Sequence, residues 1–437
     1  MDIFIGIIVG LVVLMILVIL HELGHFIAAR RNGVNVLEFG IGFPPRAIAW
    51  IKDPKTGKWH KLPKSEWKKE QLSKVVFSNG KSDDFAQKGM IFSLNWLPIG
   101  GFCQMDGESA ADTREGTFGA ASFWKKTKIL FAGVAANWLV AIVILTILAW
   151  VGMPDFIEGQ FTVESDTRVD FKPVQILTVA EGSPANLAGI KSGDYVLSID
   201  GNEVRYGSDI TEYNSTHAGE EVTYKLRREL EVVDETCEED CVGCECTGAS
   251  VAVQEINTVV KLNPADAEYL LGVTMEGSES KSYSTWSAPI VGVGVTLQIT
   301  GETFKGVGEL IWNLFSGVGR LFSFDASVRE SGQAAISAVG DSVSGPVGII
   351  GVLFPAFTSA GPANLAYLAA IISISLACMN VLPIPALDGG RWLLITIYKL
   401  RKKKLTKEAE EKIVARAFIV LLTIMFIVTI LDITRFF

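Results

Sequence analysis

The sequence is poor in charge, in histidine and in cysteine, and these shortages exclude several classes of protein. Only 20% of the 437 residues are charged, and acidic residues outnumber basic ones 48 to 39. The chain therefore has no basic excess with which to neutralise a nucleic acid, and we expect no nucleic-acid partner. Six cysteines are too few to hold a chain of this length together as a disulfide scaffold. The hydrophobic share of 49% is too high for an ordinary soluble protein.

The sequence contains several long apolar runs with few or no charged residues. Four runs are long enough, or nearly so, to cross a hydrocarbon core of about 30 Å. They are Ile3 to Leu20, Ile129 to Val151, Leu365 to Leu382 and Ile413 to Leu431. A cleavable signal peptide is a poor alternative for the first run, because the run follows Met-Asp rather than basic residues and no small-residue cleavage site comes after it. We therefore expect four transmembrane helices.

The distribution of basic residues predicts the orientation of these helices. Lysine and arginine are frequent from Arg30 to Lys128 and from Lys399 to Lys404, whereas acids outnumber bases between Pro154 and Glu279. The positive-inside rule places the two basic loops in the cytoplasm, and the acidic segment and both termini outside. The glycine-rich segment from Val291 to Phe324 is expected to be an interfacial amphipathic stretch, since a fifth span would move the last basic loop outside.

The first apolar run continues into the motif His21-Glu22-Leu23-Gly24-His25. Residues four apart share one face of a helix, so both imidazoles can reach one metal ion, and Glu22 can take a proton from a water there. Three ionisable residues within five positions of a span are costly, and a divalent metal ion would compensate for them. The alternative is the polar end of a span, with both imidazoles at the lipid headgroups.

A catalytic zinc site requires a third protein ligand. The remaining histidines, His60 and His217, lie outside the spans, so a carboxylate is expected. Asp432 lies at the end of the last span, where an ordinary helix-end role suffices. Asp388 follows two prolines that interrupt the third span, and a broken span beside a lone aspartate indicates a functional site.

These features together resemble the site-2 protease family of intramembrane zinc metalloproteases, in particular its bacterial members that have a PDZ domain and cleave anti-sigma factors. Four motifs carry the resemblance: His-Glu-Leu-Gly-His at 21–25, Leu-Pro-Ile-Gly-Gly-Phe at 97–102, Gly-Pro-Val-Gly-Ile at 345–349, and Asn-x-x-Pro-x-Pro-x-Leu-Asp-Gly at 380–389. The resemblance implies one catalytic Zn²⁺ bound by His21, His25 and Asp388. It also implies that Glu22 is the general base and that Asn380 steadies the substrate backbone or the developing oxyanion.

The fold implied by this resemblance is a multi-pass α-helical protein of the bacterial inner membrane. It has four transmembrane helices, a membrane-associated β-hairpin and an extracytoplasmic α+β PDZ domain, with the active site toward the cytoplasm. Its substrates would be single-span transmembrane proteins, such as anti-sigma factors or remnant signal peptides, cleaved in the lipid bilayer. The predicted boundaries are 1–30 for the first helix, 31–128 for the cytoplasmic loop, 129–152 for the second helix, 153–285 for the PDZ domain, 286–364 for the interfacial segment, 365–399 for the third helix, 400–412 for the basic loop and 413–431 for the fourth helix.

Within the first loop, the apolar stretch from Leu94 to Met105 predicts a β-hairpin with a close backbone approach at its glycines. The resemblance implies a reentrant hairpin near 94–107 whose edge strand pairs with unwound substrate through Gly100, Gly101, Phe102 and Gln104. The backbone N–H groups of Phe102 and Gln104 are the expected donors. A buried structural hairpin is the alternative.

The external segment contains a run from Gly182 to Asp194 that leads to a strand ending in Asp200-Gly201, and this pattern resembles a PDZ domain. Many members of the family carry two such domains, whereas this sequence has one. The domain would either exclude substrates with large external domains or bind a trimmed C-terminus. A spacer without a binding role is the alternative.

Four of the six cysteines fall in the same external segment, in an expected insertion at 237–246. Because this compartment is oxidising, Cys237, Cys241, Cys244 and Cys246 are predicted to form two disulfides, and a cysteine-rich metal site is the alternative. The other two, Cys103 and Cys378, are expected to be free thiols with apolar surroundings.

Two other functions are weighed against the protease. One is a catalytically inactive, membrane-tethered PDZ scaffold, which would be expected to have lost Glu22 or a metal ligand. The other is an ion transporter that uses the buried carboxylates, but a transporter has little need of two histidines four apart on one helix. The complete set of His21, Glu22, His25 and Asp388 favours the protease.

Overall fold

The computed structural model describes residues 2–52, 57–62, 64, 90–109, 112–157, 159–204, 206–232, 250–267, 269–276, 279–342, 345–403 and 405–436. The four clustered cysteines at 237–246 lie outside these ranges, so their pairing stays a prediction. The chain divides into two compact units. The first unit comprises Met1–Met153, Gly159–Asp166 and Ser284–Phe437, and the second comprises Pro154–Glu158 and Thr167–Tyr283.

The described residues contain the following helices and strands. The helices are α1 (Asp2–Arg31), α2 (Phe123–Val151), α3 (Pro184–Leu187), α4 (Gly207–Thr216), α5 (Ala288–Leu321), α6 (Ala326–Ser342), α7 (Pro346–Ser359), α8 (Pro362–Val381), α9 (Asp388–Leu400) and α10 (Lys407–Phe436). The strands are β1 (Val36–Lys52), β2 (Trp59–Lys61), β3 (Ile91–Met105), β4 (Met153–Pro154), β5 (Arg168–Lys172), β6 (Val174–Val179), β7 (Tyr195–Ile199), β8 (Asn202–Glu203), β9 (Glu221–Val232), β10 (Ser250–Lys261), β11 (Val273–Glu276) and β12 (Glu279–Tyr283).

Four helices of the first unit are long and apolar enough to cross a membrane: α1, α2, α8 and α10. The prediction of four spans is therefore confirmed at the level of helix length and composition. Large apolar side chains such as Ile16 on α1, Leu139 on α2 and Phe426 on α10 are exposed. Such exposure suits helices that face lipid rather than water.

A small sheet beside α1 differs from the predicted hairpin. Residues 36–41 of β1 pair with residues 101–105 of β3, and residues 48–51 of β1 pair with residues 91–94 of β3. Residues 38–41 also lie beside residues 91–94, so the first half of β1 is inserted between the two halves of β3. The two halves of β3 therefore do not pair with each other as the predicted hairpin requires, and residues 101–105 form an edge of the sheet within the described part of the chain.

Local chemistry explains how β1 fits between the two halves of β3. A Cβ atom on Gly40 would overlap the ring of Phe102, so the close approach requires glycine there. The buried carboxylate of Glu38 binds the guanidinium of Arg46 and accepts a hydrogen bond of 2.6 Å from the Ser93 hydroxyl. A buried charge is tolerated only when it is paired in this way, and the contacts hold both halves of β1 to β3.

The segment predicted to be interfacial contains the long helix α5, followed by α6. The first half of α5 is buried along Val291, Val295 and Ile299, and Gly292 packs so closely on α2 that a Cβ atom would overlap Thr146. The second half of α5 exposes large apolar side chains, among them Trp312 and Phe315. Helix α5 is not among the candidate spans found in the described part of the chain, and its place in the membrane interface stays a prediction.

The chain leaves the helical conformation between α8 and α9, where the two prolines lie. Helix α8 ends at Val381 and α9 begins at Asp388. A Cβ atom on Gly389 would overlap the carbonyl of Val381, and one on Gly390 would overlap the carbonyl of Ile384. The two glycines therefore let the start of α9 lie directly against the connecting segment.

Asp432 of α10 binds the start of another helix. Asp432 is only 3% exposed, and its carboxylate accepts hydrogen bonds from the backbone N–H groups of Gly345 at 3.1 Å and Gly348 at 3.0 Å. Gly345 precedes α7 and Gly348 lies in its first turn, where the backbone N–H groups have no partner within the helix. Asp432 thus has the helix-end role expected of it, although the helix is α7 rather than its own.

The second unit is built on a sheet with the strand order β10-β9-β7-β6-β11, with β8 paired to β7. Val222, Tyr224 and Leu226 of β9 are buried, and the intervening residues face outward, which is the alternation of a half-buried strand. The short helix α3 begins after Ser183, whose hydroxyl accepts a hydrogen bond from the N–H of Asn186. The turn, short helix and strand follow the predicted order, and the PDZ assignment stays a prediction.

Candidate metal centre

Helix α1 places three ionisable side chains of one motif side by side. His21 and His25 are four residues apart and point from the same face, with 8% and 6% of their surfaces exposed. Between them, Gly24 lies against α2, where a Cβ atom would overlap the carbonyl of Ala132. The absence of a side chain at Gly24 therefore allows α2 to approach the histidine-bearing face of α1.

The structure brings Asp388, at the start of α9, to the two histidines. Its Oδ2 atom lies 3.2 Å from Nε2 of His21 and 3.2 Å from Nε2 of His25. The two Nε2 atoms are 3.1 Å apart. Ligands about 2.0–2.1 Å from a tetrahedral zinc ion are separated from each other by about 3.3 Å. The three donor atoms thus have nearly the spacing that zinc requires.

The donor chemistry of this triangle also suits a cation. The Nδ1 atom of His25 lies 2.8 Å from the carbonyl oxygen of Ile129, so it carries the ring hydrogen of the neutral imidazole. The Nε2 atom of His25 then presents a lone pair to the other two donors. Donor atoms this close repel one another unless a proton or a cation lies between them. Two imidazoles and a carboxylate are a ligand set that zinc takes, so His21, His25 and Asp388 fit a zinc ion.

A cavity of about 480 Å³ opens onto this triangle. Glu22 and Asn380 line it together with the three donor residues, so the structure brings all five predicted catalytic and metal-binding residues to one place. Glu22 comes from α1 and Asn380 from the last turn of α8. A peptide bond bound in this cavity would contact a metal ion, a carboxylate and an amide together.

The edge formed by residues 101–105 borders the same cavity. The N–H of Asp106 donates to the carbonyl of Asn35 at 2.8 Å, on the side of β1, whereas the N–H of Met105 donates to Oε1 of Glu108 at 2.9 Å, on the other side. The backbone of Cys103 lies close to the carboxylate of Glu22. Backbone groups alternate along a strand, so the cavity-facing donors belong to odd-numbered residues.

This alternation bears on one part of the sequence-based hypothesis, the choice of backbone donors. The N–H groups of Phe102 and Gln104 point toward β1, because they have the same parity as that of Asp106. The backbone donors on the other side of the strand are therefore those of Cys103 and Met105, and all four residues from Phe102 to Met105 line the cavity. Substrate binding by Gly100, Gly101, Phe102 and Gln104 stays a prediction.

The end of the edge strand is tied to α9. The guanidinium of Arg391 donates to the backbone carbonyl of Glu108, and its Nε atom lies 3.5 Å from Oε1 of the buried Glu410 on α10. Arg391 is three residues after Asp388 and so lies one helical turn further along α9. These contacts fix the position of the edge strand relative to the helix that carries Asp388.

Comparison with known proteins agrees with this geometry. The sequence profile of Peptidase family M50 matches residues 9–59 and 81–425. The chain belongs to Peptidase family M50. Two relatives align over nearly their whole length. The regulator of sigma-W protease RasP of Bacillus subtilis is 25% identical and covers 96% of both chains, and the zinc metalloprotease RasP of Shouchella clausii is 23% identical and covers 97% of both.

Membership of the M50 family confirms the expected enzyme class and cofactor. The protein is a zinc metalloprotease of the site-2 protease type. The protein also has the two predicted free thiols, because Cys103 and Cys378 are both unpaired and buried. Neither His60 nor His217 joins the group of metal donors found among the described residues.

The sequence did not lead us to three residues of α2 that lie beside the metal centre. Ile129, Gly133 and Asn137 are spaced four residues apart and all face the two histidines. The signal was present in the sequence, because Asn137 is a polar residue within an apolar span and such residues are usually functional.

Proposed function

We propose that this protein hydrolyses peptide bonds of single-span membrane proteins within or at the edge of the bilayer, using His21, His25 and Asp388 as zinc ligands. The observation that carries the proposal is the triangle of donor atoms, 3.1 to 3.2 Å on each side, in a cavity shared with Glu22 and an open strand edge. A scaffold without catalytic activity would have no need to keep Glu22 beside these donors.

Each side chain of the site then has a separate task. Zinc, when bound, supplies a Lewis acid that makes water a nucleophile near neutral pH. Glu22 accepts the proton of the attacking water on its carboxylate and later delivers it to the amine that leaves. Asn380 donates its amide N–H to the oxygen of the substrate carbonyl, where negative charge develops.

The strand edge gives a reason why a membrane-embedded substrate can be cleaved at all. A transmembrane helix satisfies its own backbone groups, and unwinding it in lipid leaves them without partners. The N–H groups of Cys103 and Met105, and the carbonyls that alternate with them, can replace those lost hydrogen bonds by adding the substrate as a further strand. Met105 would first exchange Glu108 for a substrate carbonyl.

The proposed location is the inner membrane, with four spans and both basic loops in the cytoplasm. This orientation rests on the positive-inside rule and places the zinc ligands toward the cytoplasmic side, since α1 runs on from His25 to Arg30 and Arg31. The acidic second unit then lies outside as a PDZ domain that screens substrates by size or by their C-terminus. Anti-sigma factors and remnant signal peptides are the substrate classes that the family resemblance favours, and the name of the relative from Bacillus subtilis, a regulator of sigma-W, agrees with the first.

Co-expression with a library of single-span proteins tests this function. We expect a subset of the library to be shortened near its transmembrane segment by the wild-type protein and to remain intact with Glu22→Gln. The site of each cut, read by mass spectrometry, should fall within or next to the apolar segment. Cuts confined to soluble external domains would contradict an intramembrane protease, and equal shortening by both forms would show that another protease is responsible.

If the substrate pairs with the edge strand, the effect of backbone N-methylation on the cleavage rate should alternate from one substrate residue to the next. Methylating successive backbone nitrogens near the scissile bond of a synthetic single-span substrate should slow cleavage about tenfold or more at every second residue, because each methyl removes a hydrogen bond and blocks the strand. The residues between them should tolerate the methyl group.

The control for the N-methylation series is the same group placed far from the scissile bond, where helix destabilisation alone would act. Cleavage rates are compared at equal substrate concentration in one detergent. An effect that falls off smoothly with distance, with no alternation, would rule out pairing with the strand edge.

A further inference from the structure

One face of α2 lies against both histidine rings. Ile129, Gly133 and Asn137 form this face, which we call the 129/133/137 face, and their spacing of four places them in one row along the helix. Ile129 and Asn137 are fully buried. A Cβ atom on Gly133 would overlap both imidazoles, at 2.5 Å from Nε2 of His25 and 2.6 Å from Cε1 of His21.

At one end of the row, the backbone of α2 orients His25. The carbonyl of Ile129 accepts a hydrogen bond from Nδ1 of His25, which leaves Nε2 free to bind a metal ion. Helix α2 already supplies, at this end, the outer hydrogen bond that a metal-binding histidine requires. His21 needs an equivalent acceptor, because its Nε2 atom also points to the metal position.

At the other end of the row, Asn137 is the side chain that meets Nδ1 of His21. Its Nδ2 atom lies 3.4 Å from Nδ1, while its Oδ1 atom is buried and has no hydrogen-bond partner among the described residues. Once Nε2 of His21 binds a metal ion, Nδ1 must carry the ring hydrogen, and an amide NH₂ cannot accept it. A 180° flip of the Asn137 amide exchanges its oxygen and its nitrogen. The flip gives the Nδ1 hydrogen of His21 an acceptor and the buried amide oxygen a donor, and it needs no extra space because the NH₂ group and the oxygen are similar in size.

We infer that Asn137 is a positioning residue of the zinc site, whose amide oxygen accepts the Nδ1 hydrogen of His21 when zinc is bound. This inference rests on the proposed role of His21 as a ligand. It assigns to the 129/133/137 face the whole outer support of the histidine pair: a carbonyl for His25, an amide oxygen for His21, and a glycine between them that leaves room for both rings.

Zinc affinity of the purified full-length protein tests this role, measured by competition with a chromophoric chelator. Loss of an outer-shell partner typically weakens metal binding about 10- to 100-fold, and we expect this loss in Asn137→Ala. Asn137→Asp keeps an acceptor at the same position and should bind zinc at least as tightly as wild type. The melting temperature of the metal-free protein separates this effect from a general loss of packing.

The matched control is Ser373→Ala. The hydroxyl of this fully buried serine donates to the backbone carbonyl of Asn137 at 2.9 Å, so the variant disturbs the same helix without touching His21. We expect it to lower the melting temperature of the metal-free protein and to leave zinc affinity unchanged. In Asn137→Ala, by contrast, we expect added zinc to raise the melting temperature by less than it does in wild type.

The outcomes are distinguishable. Wild-type protein that binds no zinc would overturn the proposed function itself. Wild-type affinity in a folded Asn137→Ala, with zinc still bound to wild type, would overturn only the role of Asn137. If Asn137→Ala does not fold, Asn137→Asp decides: tenfold weaker zinc binding in that variant would mean that the acceptor oxygen is not what the site requires.

Discussion

Replacement of Glu22 with glutamine is expected to abolish cleavage while zinc remains bound. Glutamine has nearly the same shape as glutamate but cannot accept the proton of the attacking water, and a general base contributes about 10²- to 10⁴-fold to a rate. Because Glu22 is not one of the three donors of the triangle, zinc content should stay near one ion per chain. The two measurements are cleavage of a single-span substrate in detergent and zinc by elemental analysis.

The control for this substitution is Glu408→Gln, the same change at an exposed position in the first turn of α10. It should cleave at the wild-type rate. Retention of even a tenth of the wild-type rate by Glu22→Gln would mean a barrier change of only about 1.4 kcal/mol. That is too small for a general base, and another group would then have to take the proton.

Asp388→Ala should lose both zinc and activity. The variant leaves two imidazoles, and catalytic zinc sites have three protein ligands, so we expect zinc to be removed during purification by a mild chelator. The donor oxygen of Asp388 lies 3.2 Å from each Nε2 atom, and no other carboxylate joins this group in the described part of the chain. Zinc content before and after dialysis against the chelator is the measurement.

Asp432→Asn is the matched control for Asp388→Ala, because Asp432 is the other aspartate at the end of an apolar run. Its carboxylate binds Gly345 and Gly348 at the start of α7, so the control should reduce stability and keep zinc. Full zinc occupancy in Asp388→Ala would show that a different residue is the third ligand.

The sequence predicted the chemistry of the centre better than its surroundings. His21 and His25 could be paired from their spacing alone, because a helix places residues four apart on one face. Asp388 could be found as the lone aspartate beside a broken span, and the structure brings it to the histidines. The geometry of a helix and the high cost of charge in lipid hold whatever the rest of the chain does, and they suffice to indicate these residues.

The pairing of β1 with β3 could not be predicted in the same way. Residues 36–41 insert between two halves of a strand that lies more than 50 residues later, and only long-range contacts such as Ser93 to Glu38 select that arrangement. Strand alternation also fixes which backbone donors face the cavity, and it depends on the pairing. For this reason the alternation favours the donors of Cys103 and Met105, whereas the sequence pointed to those of Phe102 and Gln104.

The connection at residues 382–387 carries a constraint on chain length as well as on sequence. It joins Val381 to Asp388, and the carbonyls of Val381 and Ile384 lie against Gly389 and Gly390. Because this connection is not helical, one inserted residue would lengthen it by up to about 3.5 Å relative to the end of α8. Either Asp388 would leave the histidines or the glycines would leave the carbonyls. Natural variants of this connection should therefore differ by substitution, and insertions and deletions should be found elsewhere in the chain.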